Sequence, residues 1–251
     1  MINVKKFTVN IATLLSIFGR GKSVDELISG NKPSIDNDEP EEAKTATFSM
    51  GCFWGPDSLY GAVPGVISTK VGYAGGNKDN PTYHRLGDHT ETVQMKFDPK
   101  KVSYEELIDV FWENHDYVHP KSTQYMSIIF FHNEEQENIA KKSKEEKQEQ
   151  TSGHIQTEIR PFSKFYLAEG YHQKYHLSKQ KKLYKAYRNI YPDLKDFIDS
   201  TAVTRANGYV SGHGKLTSKS DLEGLGLSEE GIDMLFKKWK NAGGVGACSL
   251  K

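Results

Sequence analysis

An α+β fold, one mixed sheet with helices packed on it, is the class this sequence predicts. Three observations predict it. Short β-branched or alternating runs at residues 45–50, 66–73, 92–97, 125–131 and 155–159 interleave with helical patterns. Their spacing lacks the regular βαβ period of a doubly wound sheet. Beyond Ala168 the chain reads as helical and basic, so the helices extend past the last strand. A chain of 251 residues accommodates one sizeable domain with extensions. The composition divides it into a leader and acidic linker over 1–44, a domain carrying the candidate site over 45–215, and a C-terminal helix with a glycine-rich tail over 216–251.

The elements follow in order. Lys5 and Lys6 precede a moderately apolar run over 9–18, which Asn10, Thr13 and Ser16 interrupt and which is too short to span a bilayer. This favours a cytoplasmic protein with a short amphipathic leader, with a signal peptide and export as the alternative. Residues 30–44 are rich in Asn, Pro, Asp and Glu and read as a solvated linker. The first strand, 45–50, empties into Gly51-Cys52-Phe53-Trp54-Gly55 and then a short helix with Pro56 in its first turn. Pro64-Gly65 ends that helix, 66–73 is a strand closed by Gly75-Gly76, and 77–88 is a loop carrying Tyr83. The alternating strand 92–97 follows, with Glu91 at its mouth.

Ser103 and Glu106 form a capping box for a helix through 107–112. Residues 125–131 read as a strand, and Asn133 opens a long helix whose charged tail, 141–149, is a solvated face. A strand at 155–159 and an edge run at 165–167 complete the sheet, and helix continues from Ala168. Residues 208–214 read as flexible, 222–239 as the last helix, and the tail ends with Cys248.

Lysine plus arginine equals aspartate plus glutamate at 33 each, so no net charge draws the chain toward nucleic acid or an anionic membrane. Two cysteines nearly 200 positions apart do not make a secreted disulfide scaffold. Cys52, at a predicted helix start, is placed where free N–H groups favour a thiolate, and two large aromatics follow it. The other common fate of a free cysteine is a buried, inert side chain, and spacing leaves both open.

The ordered motifs resemble the peptide methionine sulfoxide reductases of the A type. The resemblance runs through Gly51-Cys52-Phe53-Trp54-Gly55, Pro64-Gly65-Val66, Gly72-Tyr73-Ala74-Gly75-Gly76, Asn80-Pro81-Thr82-Tyr83, His89-Thr90-Glu91, Phe97-Asp98-Pro99, Phe111-Trp112-Glu113-Asn114-His115-Asp116 and Thr123-Gln124-Tyr125. A weaker echo is Ala168-Glu169-Gly170-Tyr171-His172-Gln173-Lys174-Tyr175. It implies a two-layer sandwich with a ferredoxin-like core and no metal or other cofactor. It also implies Cys52 as the nucleophile that becomes a sulfenic acid, Glu91 as the acid, and Tyr83 and Tyr125 as phenols on the substrate oxygen. Phe53 and Trp54 would form the methyl pocket. The substrates would be the S epimer of methionine sulfoxide, in oxidised proteins or free, the reductant thioredoxin or a similar dithiol, and the enzyme a monomer.

The sequence departs from that pattern at two places. Pro120 stands five positions before Tyr125, where many relatives carry aspartate, and Val210 follows Gly208-Tyr209 where relatives often carry a resolving cysteine. Cys248 is then the candidate resolving thiol. Two other readings use the same residues: a cysteine hydrolase or acyltransferase in which His89 activates Cys52, and a metal module built on His172 and His176 at helical i, i+4 spacing. For the last pair, a solvated helix face is the plainer reading.

Overall fold

The computed structural model describes residues 24–30, 32–38 and 40–244; most of the leader and Cys248 lie outside the described residues. Six strands form one mixed sheet: β1 Lys44–Met50, β2 Val66–Ala74, β3 Thr90–Phe97, β4 Ser127–Phe131, β5 Glu158–Pro161 and β6 Phe165–Leu167. Their spatial order is β5-β4-β1-β3-β2-β6. β3 lies antiparallel between β1 and β2, and β4 is antiparallel to β1. With helix α1 (Trp54–Gly61) between β1 and β2, and α2 (Tyr104–Glu113) between β3 and β4, this is the split β-α-β-β-α-β topology of a ferredoxin-like core. Helix α3 (Glu134–Glu149) carries the chain to β5, parallel to β4, and β6 closes the other edge against β2.

The alternation in β1 explains its placement. Ala46, Phe48 and Met50 enter the apolar core, where the Phe48 ring lies 5.5–6.0 Å from Tyr60, Tyr104 and Phe111. Thr47 and Ser49 are equally buried but satisfied: Thr47 Oγ1 is 2.9 Å from His132 Nε2, and Ser49 Oγ is 2.8 Å from Thr92 Oγ1. Both arms of the Ser103 box form, with Ser103 Oγ accepting from the Glu106 N–H at 3.1 Å and Glu106 Oε2 from the Ser103 N–H at 2.7 Å. Such a cap stabilises a helix start by about 1 kcal/mol.

Several boundaries differ from those the sequence predicts. β3 begins at Thr90, so Glu91 lies inside the ladder opposite Tyr73 rather than at the strand mouth. Residues Thr123–Tyr125 form a 3-10 turn, which leaves Tyr125 outside the sheet. The strand predicted at 155–159 starts only at Glu158. Residues 168–169 are irregular and 170–174 are turns, after which come the helices α4 Tyr175–Ser178, α5 Lys181–Ile190, α6 Leu194–Asp199, α7 Thr201–Val210 and α8 Glu229–Asn241. Gly208, read as flexible, is buried in α7 because its missing side chain permits close approach: an added Cβ would stand 2.8 Å from Ala62 Cβ and from the Ser58 carbonyl.

The C-terminal helices build a second apolar cluster from Leu177, Leu183, Tyr187, Phe197, Val203, Leu222, Leu235 and Trp239. Residues 24–30 and 32–38 lie against this layer, where Ile28 pairs with Leu227. Asp36 belongs to the stretch that reads as a solvated linker, yet it is docked. Its carboxylate accepts from Ser200 Oγ at 2.7 Å, the Ala202 N–H at 2.9 Å and the Tyr191 hydroxyl, so it caps the start of α7. Among the described residues no helix is long and apolar enough to cross a membrane.

Candidate functional site

The site forms where β1 turns into α1. Gly51 makes the turn at φ +82°, a conformation that costs other residues strain, and delivers Cys52 to an exposed position two residues before the helix. The helix start acts as expected in part, since the Trp54 N–H lowers the thiol pKa. Partial desolvation outweighs it, and the charge of Glu91 adds to the rise, so the net shift is upward. This corrects the expectation of a thiol activated by the helix terminus alone.

Glu91 is 1% exposed. Its Oε2 accepts from the Phe53 N–H at 3.0 Å, directly beside Cys52 in the chain, and its Oε1 accepts from Gln124 Nε2 at 2.8 Å. Burial raises this carboxyl above the ordinary range, while the two donors pull it back. Tyr125 is pushed up to about 12, first by burial, then by the Glu91 charge and by the neighbouring Tyr83. Both phenols are half-buried. The loop bearing Tyr83 is pinned by Glu169, whose Oε1 accepts the Tyr83 N–H at 3.1 Å and whose Oε2 accepts the Tyr73 hydroxyl at 2.8 Å.

Phe53 is buried, its ring 6.0 Å from Tyr73 and 5.1 Å from His172. Trp54 stands as a half-exposed wall, its ring stacked 3.6 Å from that of Tyr175 and nearly parallel to it. Its indole N–H donates to His172 Nδ1 at 3.1 Å. His172 therefore carries its hydrogen on Nε2, and that nitrogen is buried without a hydrogen-bond partner among the described residues, in a ring 4.7 Å from Tyr83. Burial holds the imidazole below its ordinary pKa.

Cys52, Phe53, Trp54, Tyr83, Glu91 and Tyr125 thus converge on one region. Gln124, Glu169, His172 and Tyr175 join them unforeseen; three of these four stand in the stretch 168–175, whose motif was the weaker echo. His89 does not join. Its Nδ1 accepts from the Gly76 N–H at 3.2 Å and its Nε2 lies 2.7 Å from the Lys78 carbonyl, so both nitrogens hold the loop after β2. His172 and His176 do not share a solvated helix face: His172 is 2% exposed and lies in the turn before α4. Among the described residues no group of three His, Cys, Asp or Glu side chains could hold a metal. Near Pro120, the carboxylate of Asp116 is engaged by Lys121 at 2.8 Å.

An exposed thiol at a strand-to-helix turn, backed by a buried carboxyl and two phenols on an α+β sandwich, is a candidate enzyme active site. A family profile described as peptide methionine sulfoxide reductase matches residues 44–205. A peptide methionine sulfoxide reductase of Drosophila melanogaster is 47% identical over 188 residues, covering 73% of this chain and 75% of the relative. Peptide methionine sulfoxide reductase MsrA of Methanosarcina acetivorans is 46% identical over 54% of this chain and 78% of its own. Among solved structures, reduced Mxr1 from Saccharomyces cerevisiae matches with a TM-score of 0.53 at 35% identity, covering 57% of this chain and 88% of that one. Methionine sulfoxide reductase A of Corynebacterium diphtheriae matches at 0.51 and 29% identity, over 63% and 85%. The chain belongs to the peptide methionine sulfoxide reductase family, and it is an oxidoreductase.

Proposed function

We propose that this protein reduces the S epimer of methionine sulfoxide, free or within oxidised proteins, with Cys52 as nucleophile and Glu91 as proton donor. The observation that carries the reading is the bridge from Glu91 to the Phe53 N–H, which sets a buried carboxyl, raised in pKa by its burial, beside the thiol. The two groups titrate against each other, because a charged Glu91 raises the thiol pKa. Moving one proton from Cys52 to Glu91 removes that repulsion and yields a thiolate next to a carboxylic acid. The thiolate attacks the sulfoxide sulfur, Glu91 protonates the oxygen, and the net step converts thiol and sulfoxide to sulfenic acid and thioether.

Tyr125, pushed up to about 12, stays a neutral phenol at physiological pH, and the hydroxyls of Tyr83 and Tyr125 supply donors to the sulfoxide oxygen. Phe53 and Trp54 bound the apolar space for the methyl group, and His172 Nε2–H is a further unspent donor beside them. The sulfenic acid is then captured by Cys248, forming a disulfide and releasing water, and thioredoxin or a similar dithiol reduces that disulfide, becoming oxidised itself and restoring both thiols. The test is turnover of the separate sulfoxide epimers with dithiothreitol. Reduction confined to the S epimer is expected; reduction of the R epimer, or hydrolysis of an ester with no reduction, would overturn the reading.

A further inference from the structure

Behind the aromatic wall lies an ion pair fully removed from solvent. The side chains of Lys174 and Asp57 are 0% and 1% exposed, with Nζ 3.2 Å from Oδ1. A buried pair is weak evidence for stability, because desolvation offsets the attraction. This one is also elaborately satisfied. Asp57 accepts from Thr69 Oγ1 at 2.6 Å, from the Lys174 N–H at 3.1 Å and from Asn207 Nδ2 at 3.1 Å. Lys174 Nζ donates to the Thr69 carbonyl and hydroxyl, each at 2.5 Å. Lys174 takes φ +51°, a left-handed conformation that a non-glycine residue holds only when its surroundings impose it.

The pair's position in the chain gives it a task. Asp57 stands one helical turn after Trp54, and Lys174 stands between His172 and Tyr175. Trp54 stacks on Tyr175 and donates to His172, so the two halves of the wall come from separate segments joined behind by one carboxylate. Asn207, the third partner, lies in α7 past Arg205, where the family match ends. Neither Lys174 nor Asp57 has a hydrogen bond with Cys52 or Glu91.

We propose that Lys174 is a positioning residue: its bond to Asp57, braced by Asn207, keeps Trp54 and Tyr175 in register as the wall of the sulfoxide pocket. The proposal rests on the reading of Trp54 as a substrate contact, and it assigns α7, which runs past the end of the family match, a part in substrate binding. Because the network acts on the wall and not on the thiol, its loss falls on KM and spares the chemical step.

The experiment uses the full chain. Lys174→Met alone strands a buried carboxylate, so the decisive variants are the neutral pair Asp57→Asn/Lys174→Met and the milder Asn207→Ala. For the double variant, KM for free methionine S-sulfoxide should rise about tenfold while kcat stays within about twofold, the scale of one lost pocket contact. In a Trp54→Ala background the same pair of substitutions should no longer move KM, since coupled residues are non-additive. The near-ultraviolet circular dichroism should change on introducing the double variant, and that change should be absent when Trp54 is already Phe. Equal effects on KM with and without Trp54, or a fall in kcat with KM unchanged, would overturn the proposal. If the parent protein fails to reduce the sulfoxide, the proposed function falls, and the circular dichroism comparison by itself decides the positioning role.

Discussion

Replacing Glu91 by Gln keeps the side-chain shape and removes the proton. The structural cost can be read from the two hydrogen bonds. The glutamine oxygen can still accept from the Phe53 N–H, and turning the Gln124 amide end for end lets its oxygen accept from the new amide. Were that turn blocked, one buried donor would lose its acceptor at about 1–3 kcal/mol; with it, the fold should be near parental. The chemical cost is larger, since a positioned acid contributes about a hundredfold to ten-thousandfold in rate. At about 1.4 kcal/mol per decade this is roughly 3–5 kcal/mol of barrier. Turnover is measured by methionine release with dithiothreitol across a pH series, beside a thermal melt. A second reading comes from iodoacetamide alkylation of Cys52. Glu91 raises the thiol pKa through its negative charge, so removing the charge should move the alkylation midpoint to lower pH. The parent requires one proton shared between the pair, and its rate should rise and then fall with pH; the variant should lose the alkaline fall that Glu91 deprotonation causes. Turnover near parental at every pH, or an alkylation midpoint that stays or moves upward, would refute the reasoning.

Cys52→Ser should abolish reduction with its melting temperature unchanged, because the residue is exposed; residual turnover with dithiothreitol would remove the nucleophile assignment. Tyr83→Phe and Tyr125→Phe should each slow the reaction by roughly threefold to tenfold, the worth of one hydrogen bond, and the double variant by more than either. A fully active double variant excludes both phenols. Gly208→Ala should destabilise the protein by about 1–3 kcal/mol in a denaturant titration, the scale of an overpacked site, since the new methyl meets Ala62 and the Ser58 carbonyl at 2.8 Å. Cys248→Ser should turn over normally with dithiothreitol and slowly with thioredoxin, and peptide mapping after a single turnover of the parent should find a Cys52–Cys248 disulfide. Normal turnover of the variant with thioredoxin rules that disulfide out of the cycle.

What the sequence determined by itself is local or periodic. Alternation in β1 placed Phe48 in the core, and the Ser103 and Glu106 pair marked the start of α2, because each depends on residues within a few positions of one another. The Gly51-Cys52-Phe53-Trp54-Gly55 motif was legible for the same reason. The motifs in order also carried the resemblance that implied Glu91, Tyr83 and Tyr125. Tertiary structure decided the rest. Trp54 meets His172 across 118 positions and Asp57 meets Lys174 across 117, contacts that no local pattern encodes. The direction of the Cys52 shift was likewise out of reach, since the helix start and the surrounding protein act oppositely on the thiol and only packed neighbours set how much water is excluded. Gly208 shows the same division: composition reads it as a loop, while packing uses its absent side chain to bring α7 onto the helix that follows the thiol.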